Sequence, residues 1–148
     1  MLFKSPKYSN FLSSPMRWLA VAAALGLGAC ATPAANTSED VVKQRGNARW
    51  VYLVASDFTK AYNYNTPSFR AVVSPETYRG RLGVGVVWVG GEVTDVNCPE
   101  AAKCLAKVRI DFKPLLRGKL GEKFSTFADE TWLLEDGQWW IFEPLQGN

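Results

Sequence analysis

The segment "ETWLLEDGQWWIF", Glu130 to Phe142, constrains the fold more tightly than any other stretch of the chain. Asp136-Gly137 is a preferred pair for a two-residue turn, so the flanking residues are expected to pair as a hairpin in one register. That register sets Leu134 opposite Trp139, Leu133 opposite Trp140, Trp132 opposite Ile141 and Thr131 opposite Phe142. Side chains alternate across a strand, so Trp132, Leu134, Trp139 and Ile141 share one face and Leu133, Trp140 and Phe142 the other. Both faces are apolar. Helices on one side of a sheet bury only one of them; the second must meet the curled end of the sheet, long side chains laid over it, or another chain. Strong curvature is the first expectation, and a homodimer or other protein partner docked on this C-terminal hairpin is the next.

The residues before the hairpin are also β in character. In "CLAKVRIDF", Ala106, Val108, Ile110 and Phe112 fall on one face and Lys107, Arg109, Asp111 and Lys113 on the other, the pattern of a half-buried strand. "RLGVGVVWVGGEVTDVNC" is rich in valine, with Gly90-Gly91 marking a bend or bulge.

The helical signals all lie earlier. Ser38, followed by Glu39 and Asp40, puts a capping residue ahead of acids that meet the positive end of a helix dipole, and apolar spacing extends a helix from about Glu39 to Ala55 with Gly46 inside it. Ser56 or Asp57 caps a second, short helix carrying Phe58, Ala61 and Tyr62 on one face, ended by Asn65 and Pro67. Ser74, Pro75 and Glu76 open a third. Helices first and strands afterwards make an α+β domain, with N-terminal helices packed on a curved antiparallel β-sheet.

The chain of 148 residues has room for one such domain, at 47% hydrophobic and 21% charged residues. Its net charge of +3 lies wholly in Lys4, Lys7 and Arg17, so everything after Cys30 is balanced, with basic residues read as scattered. No electrostatic footprint for nucleic acid is expected.

Residues 1–29 read as an export signal. "MLFKSPKYSNFLSSPMR" is a basic, polar flank and "WLAVAAALGLG" an uncharged run well short of the ~20 residues that span a bilayer. A start at Met16 instead of Met1 leaves Arg17 as the basic flank and the same reading. Leu27-Gly28-Ala29-Cys30 resembles a bacterial lipobox. The resemblance implies lipid on the Cys30 sulfur, cleavage before it and acylation of the new amino group; Ala31 in place of Asp implies the outer membrane, with the domain in the periplasm. Several acyl chains make such anchoring stable, at about 0.8 kcal/mol for each buried CH₂. From Cys30 through "ATPAANTS" to Ser38 the chain reads as the lipidated residue and a flexible tether, and 39–148 as the domain.

Cys98 and Cys104 flank "PEAAK" between two expected strands, where cross-strand spacing suits a disulfide in an exported protein. A metal pair is the weaker reading, since the chain has no histidine and structural zinc wants four ligands. No metal or cofactor is expected, and a catalytic thiol or serine would lack its usual imidazole partner.

Over Glu39 to Leu145, "RWVYLVASDFTKAYNYNTPSFR", "SPETYRGRL" and "ETWLLEDGQWW" together resemble the NTF2-like superfamily, in particular its small exported bacterial proteins. The resemblance implies a bent sheet wrapped on a long first helix to form a cone with an open mouth. It does not select a function, because the family spans enzymes, binding proteins and assembly domains. Without histidine, an isomerase or hydro-lyase of the ketosteroid isomerase type would need a carboxylate with a tyrosine. Asp57, Asp111 and Asp129 are the candidates, read more simply as a helix cap, part of a polar strand face and a residue near a strand end. Trp50, Tyr62, Tyr78, Trp88 and Trp132 are either core or the lining of a pocket mouth. The resulting expectation is an envelope lipoprotein with a non-catalytic domain for binding or assembly, with a small-molecule-binding cone as the alternative.

Overall fold

The structure is a computed structural model that describes residues 36–82 and 85–145. The expected signal segment, Cys30 and most of the tether lie outside the described residues.

Helix α1 spans Ser38–Val54. Its cap is Thr37, one residue before the expected Ser38: the Thr37 hydroxyl accepts from the Asp40 amide at 3.2 Å, and the Asp40 carboxylate accepts from the Thr37 amide at 3.2 Å. This reciprocal capping box satisfies two donors that the first turn leaves open. At the other end Ser56 takes a left-handed backbone (φ 57°) that closes α1, and Asp57 caps α2 (Phe58–Tyr62). A further helix, α3 (Pro67–Val72), stands where the sequence reading had Pro67 as a terminator. Thr66 is its N-cap and Pro67 occupies its first turn, where a missing N–H costs nothing. α4 (Pro75–Arg81) starts at Ser74-Pro75 as expected.

The second half is a five-stranded antiparallel sheet: β1 (Val86–Glu100), β2 (Lys103–Leu116), β3 (Lys119–Leu120), β4 (Phe124–Glu135) and β5 (Gln138–Phe142). The order is β1-β2-β4-β5, with β3 paired to the far end of β2. The β4–β5 register is the one that Asp136-Gly137 dictates, and both turn residues have positive φ (51° and 74°). β1 carries register shifts at Trp88/Gly90, Val93/Asp95 and Asn97/Glu100; such bulges bend a strand and increase its twist. Across the last of them Cys98 and Cys104 form the expected disulfide.

The core lies between α1 and one face of the sheet. Val42, Trp50 and Leu53 of α1 share it with Val93, Ala106, Val108, Trp132 and Ile141. Two glycines permit the close approach: a Cβ on Gly46 would stand 2.7 Å from Val93 Cγ2, and one on Gly91 would stand 2.3 Å from the Trp50 ring. The β5 edge is closed by residues 64–66, since the Ile141 amide donates to the Tyr64 carbonyl (2.9 Å) and the Thr66 amide to the Ile141 carbonyl (3.2 Å).

The second apolar face of the hairpin is covered piecemeal. The guanidinium groups of Arg45 and Arg70 lie over the Trp140 ring at 5.5 and 5.1 Å, and the Trp140 indole donates to the Glu135 carbonyl. Leu133 is half-buried and Phe142 is exposed. Long side chains therefore shield Trp140 and leave the end of β5 open to solvent.

Candidate functional site

A strand with period-two burial places Glu130 on the core face of β4, in phase with Trp132, although it is a carboxylate. α1 places Arg49 on its buried face, between Gly46 and Leu53. The two meet in the interior: Arg49 Nη1 donates to Glu130 Oε1 at 2.9 Å, with the side chains only 4% and 8% exposed. Glu130 Oε1 also accepts from the Trp50 indole at 2.8 Å, and Oε2 accepts from the Trp132 indole at 3.2 Å. Three N–H donors thus hold both oxygens of one buried carboxylate.

Arg49 reaches two further groups. Its Nη2 donates to Glu143, just past β5, at 2.8 Å and to the Tyr78 hydroxyl at 3.2 Å. Burial works against the charge on Arg49, but Glu130, Tyr78 and Glu143 outweigh it and hold the guanidinium charged, its pKa raised. Burial pushes the Tyr78 phenol above its ordinary value; Arg49 opposes this shift and Glu143 adds to it. The Arg49 Nε–H and the Asn65 side-chain carbonyl have no hydrogen-bond partner among the described residues.

Beside this cluster is a cavity of 420 Å³ bounded by Trp50 and Leu53 of α1, Leu82 after α4, Trp88 of β1, and Ile141 and Phe142 of β5. Arg49, Glu130 and Glu143 contribute its polar border. Trp50 and Trp88 meet edge to face, with ring centroids 5.5 Å apart. The arrangement is an apolar recess with an acidic border, Arg49 standing against Glu130, Glu143 and Asp129, suited to holding a flat or apolar group against aromatic surface.

Of the five aromatic residues singled out from the sequence, Trp50 and Trp88 border this cavity. Tyr62, Tyr78 and Trp132 are instead packed in the core. The Tyr62 hydroxyl donates to the Val73 carbonyl at 2.7 Å, Tyr78 receives Arg49, and Trp132 is fastened to Glu130. Among the acidic candidates, Asp57 caps α2 and pairs with Lys60 at 2.7 Å. Asp111 accepts from the Ser125 hydroxyl at 2.6 Å and pairs with Lys123 at 3.3 Å. Asp129 lies within β4, exposed and next to the cavity. Among the described residues no group of three or more His, Cys, Asp or Glu side chains is placed to hold a metal ion.

Sequence reasoning missed Arg49, Glu130 and Glu143 as a set. A signal for two of them was present: Glu130 stands at an apolar phase of its strand and Arg49 at an apolar phase of its helix. Charged residues in buried phases ask for partners.

No family model matches the chain, and no curated protein matches it. Among solved structures it is similar to a SEC-C motif containing protein from Rhodopseudomonas palustris, with a TM-score of 0.49, 14% identity, and 63% of this chain and 68% of that chain covered. It is also similar to the intermembrane space region of the chloroplast protein ARC6, with a TM-score of 0.31, 11% identity, and 63% and 90% covered. Likeness at this level carries no argument about function.

Proposed function

We propose that the chain is a lipoprotein of the bacterial envelope, anchored in the outer membrane through lipid on Cys30, whose periplasmic domain is an NTF2-like cone that binds or assembles without catalysing a reaction. Support for the cone comes from the order of elements, from α1 laid along one face of a bulged antiparallel sheet, and from a cavity at the end where Trp50 and Trp88 meet.

The observation that carries the non-catalytic half is the state of Glu130. Carboxylate and tyrosine chemistry needs a base and a phenol turned toward a ligand. Here Arg49 stands between them, and both Glu130 oxygens already accept donors of the protein itself. The cavity favours a small-molecule-binding role as the second reading, because its volume lies within the range of ligand pockets.

Native mass spectrometry of the protein extracted from cell envelopes tests both levels. The reading expects a mass increase of diacylglycerol plus one acyl chain that Cys30→Ser abolishes, and a retained small molecule or a stable complex. An unlipidated chain overturns the anchor. Turnover of a cavity-bound ligand, lost in Glu130→Gln, overturns the non-catalytic reading.

A further inference from the structure

β2 outruns β4. Its last pair with β4 is Phe112 with Phe124, while β1 stays beside it as far as the pair Val86 with Pro114, and the Leu115 amide donates to the Gly85 carbonyl at 2.8 Å. From there β2 continues to Leu116, turns at Arg117-Gly118 and returns as β3, a two-stranded tip. Both turn residues have positive φ (48° and 76°), the conformation of a tight two-residue hairpin turn. The Gly121 amide donates to the Pro114 carbonyl at 2.8 Å and closes the base of this ribbon.

A two-stranded ribbon at a sheet's end ordinarily carries polar side chains, since it has no second layer to bury apolar ones. This one exposes three large apolar residues, Leu115 (48%), Leu116 (63%) and Leu120 (56%), with Phe124 (53%) of β4 exposed at its base. Leu115 pairs with Leu120 on one face of the ribbon, and Leu116 lies on the other. Interleaved with them are Lys113, Arg117, Lys119 and Lys123, against the single acid Glu122. Of these bases Lys123 is paired, with Asp111 at 3.3 Å; Lys113, Arg117 and Lys119 make no ion pair among the described residues. The basic residues after Cys30 are therefore not evenly scattered, as the sequence suggested. Because that part of the chain is neutral as a whole, the basic ribbon leaves the remainder net acidic, and the domain is electrically polarised.

We propose that the β2–β3 ribbon is a membrane-docking element, which sets Leu115, Leu116 and Leu120 into the headgroup–acyl boundary of a bilayer containing anionic phospholipid. Leucines enter the boundary while lysine and arginine stems lie along it and their charges meet phosphate. The charge pattern argues for this occupant over a protein, because buried protein interfaces are depleted in lysine. The inference does not rest on Cys30. If lipid is attached there, the ribbon supplies the second of two contacts and fixes how the domain faces the membrane.

Hydrogen exchange on the full chain, reconstituted in phosphatidylcholine vesicles with and without phosphatidylglycerol, reads the contact locally. Amides of 115–124 are expected to exchange more slowly only with the anionic lipid, while those of 92–97 serve as an unchanged reference. Lys119→Gln is expected to lower that protection about fivefold, and Leu116→Ser with Leu120→Ser to abolish it while the far-ultraviolet circular dichroism stays native. No anionic-lipid-dependent protection at 115–124 overturns the proposal. So does protection that grows with protein concentration in vesicle-free detergent, which would make the ribbon an interface between copies.

Discussion

Replacing Glu130 by Gln keeps the side chain's size and one carbonyl acceptor but removes the charge that Arg49 meets at 2.9 Å. Breaking one side of a buried ion pair costs about 3–5 kcal/mol, because the remaining charge is left in a poorly solvating interior. Arg49 keeps Glu143 at 2.8 Å, and that partner is 26% exposed, so the lower end of the range, about 3 kcal/mol, applies. For a domain of this size the midpoint of thermal unfolding should fall by about 12 °C. Arg49→Met should cost at least as much, since it strands Glu130 on two neutral indole donors and leaves the Tyr78 hydroxyl without Arg49. The double variant removes both charges, so its cost should fall short of the sum by about 2 kcal/mol. Urea unfolding of the oxidised chain, followed by tryptophan fluorescence and circular dichroism, measures all three. A Glu130→Gln chain within about 1 kcal/mol of the parent, or a double variant whose cost equals the sum, would refute the reasoning.

Other perturbations separate packing, covalent and protonation effects. Gly91→Ala drives a methyl into the Trp50 ring and should destabilise by about 1–3 kcal/mol, whereas Gly80→Ala, in open space on α4, should stabilise by up to about 1 kcal/mol; denaturation midpoints of the two must move in opposite directions. Cys98→Ser with Cys104→Ser should cost about 2 kcal/mol in the chain-entropy account, since the closed loop is short (sequence separation 6), and leave the sheet's circular dichroism unchanged. The Tyr78 phenol is held above its ordinary value of 10.0, so the stability it represents is complete below that pH and is lost as pH rises through the folded-state value. Tyr78→Phe should therefore flatten the alkaline limb of a stability–pH profile, and an unchanged limb would assign it to other groups.

Legibility in the sequence followed distance along the chain. Ser74-Pro75 opening α4, the alternation of Ala106 and Val108 with Lys107 and Arg109, and the β4–β5 register all follow from interactions within a few residues, and all were readable. The errors at short range came from two local rules in competition. Pro67 ends a preceding helix and also suits the first turn of a new one; the Thr66 hydroxyl, accepting from the Phe69 amide at 3.2 Å, decides for the second. Ser38 and Thr37 are both good caps, and Thr37 wins because its third helical position is Asp40, which completes the reciprocal pair.

The aromatic residues mark where local reasoning stops. Nothing near Tyr62 or Tyr78 in the chain distinguishes a pocket lining from core; the distinction arises when α2, α3 and α4 close against one another and the Tyr62 hydroxyl finds the Val73 carbonyl. The ionic cluster is more remote still. Arg49 and Glu130 are 81 residues apart, and Arg49 and Glu143 are 94 apart. From sequence one reads only that each of the first two sits in a buried phase. Turn chemistry and side-chain periodicity act through neighbouring dihedrals and are written in the local residues. Which charge meets which, and whether a recess remains beside them, depends on how α1 crosses the sheet, a relation set by the whole packed core and carried by no single segment of the chain.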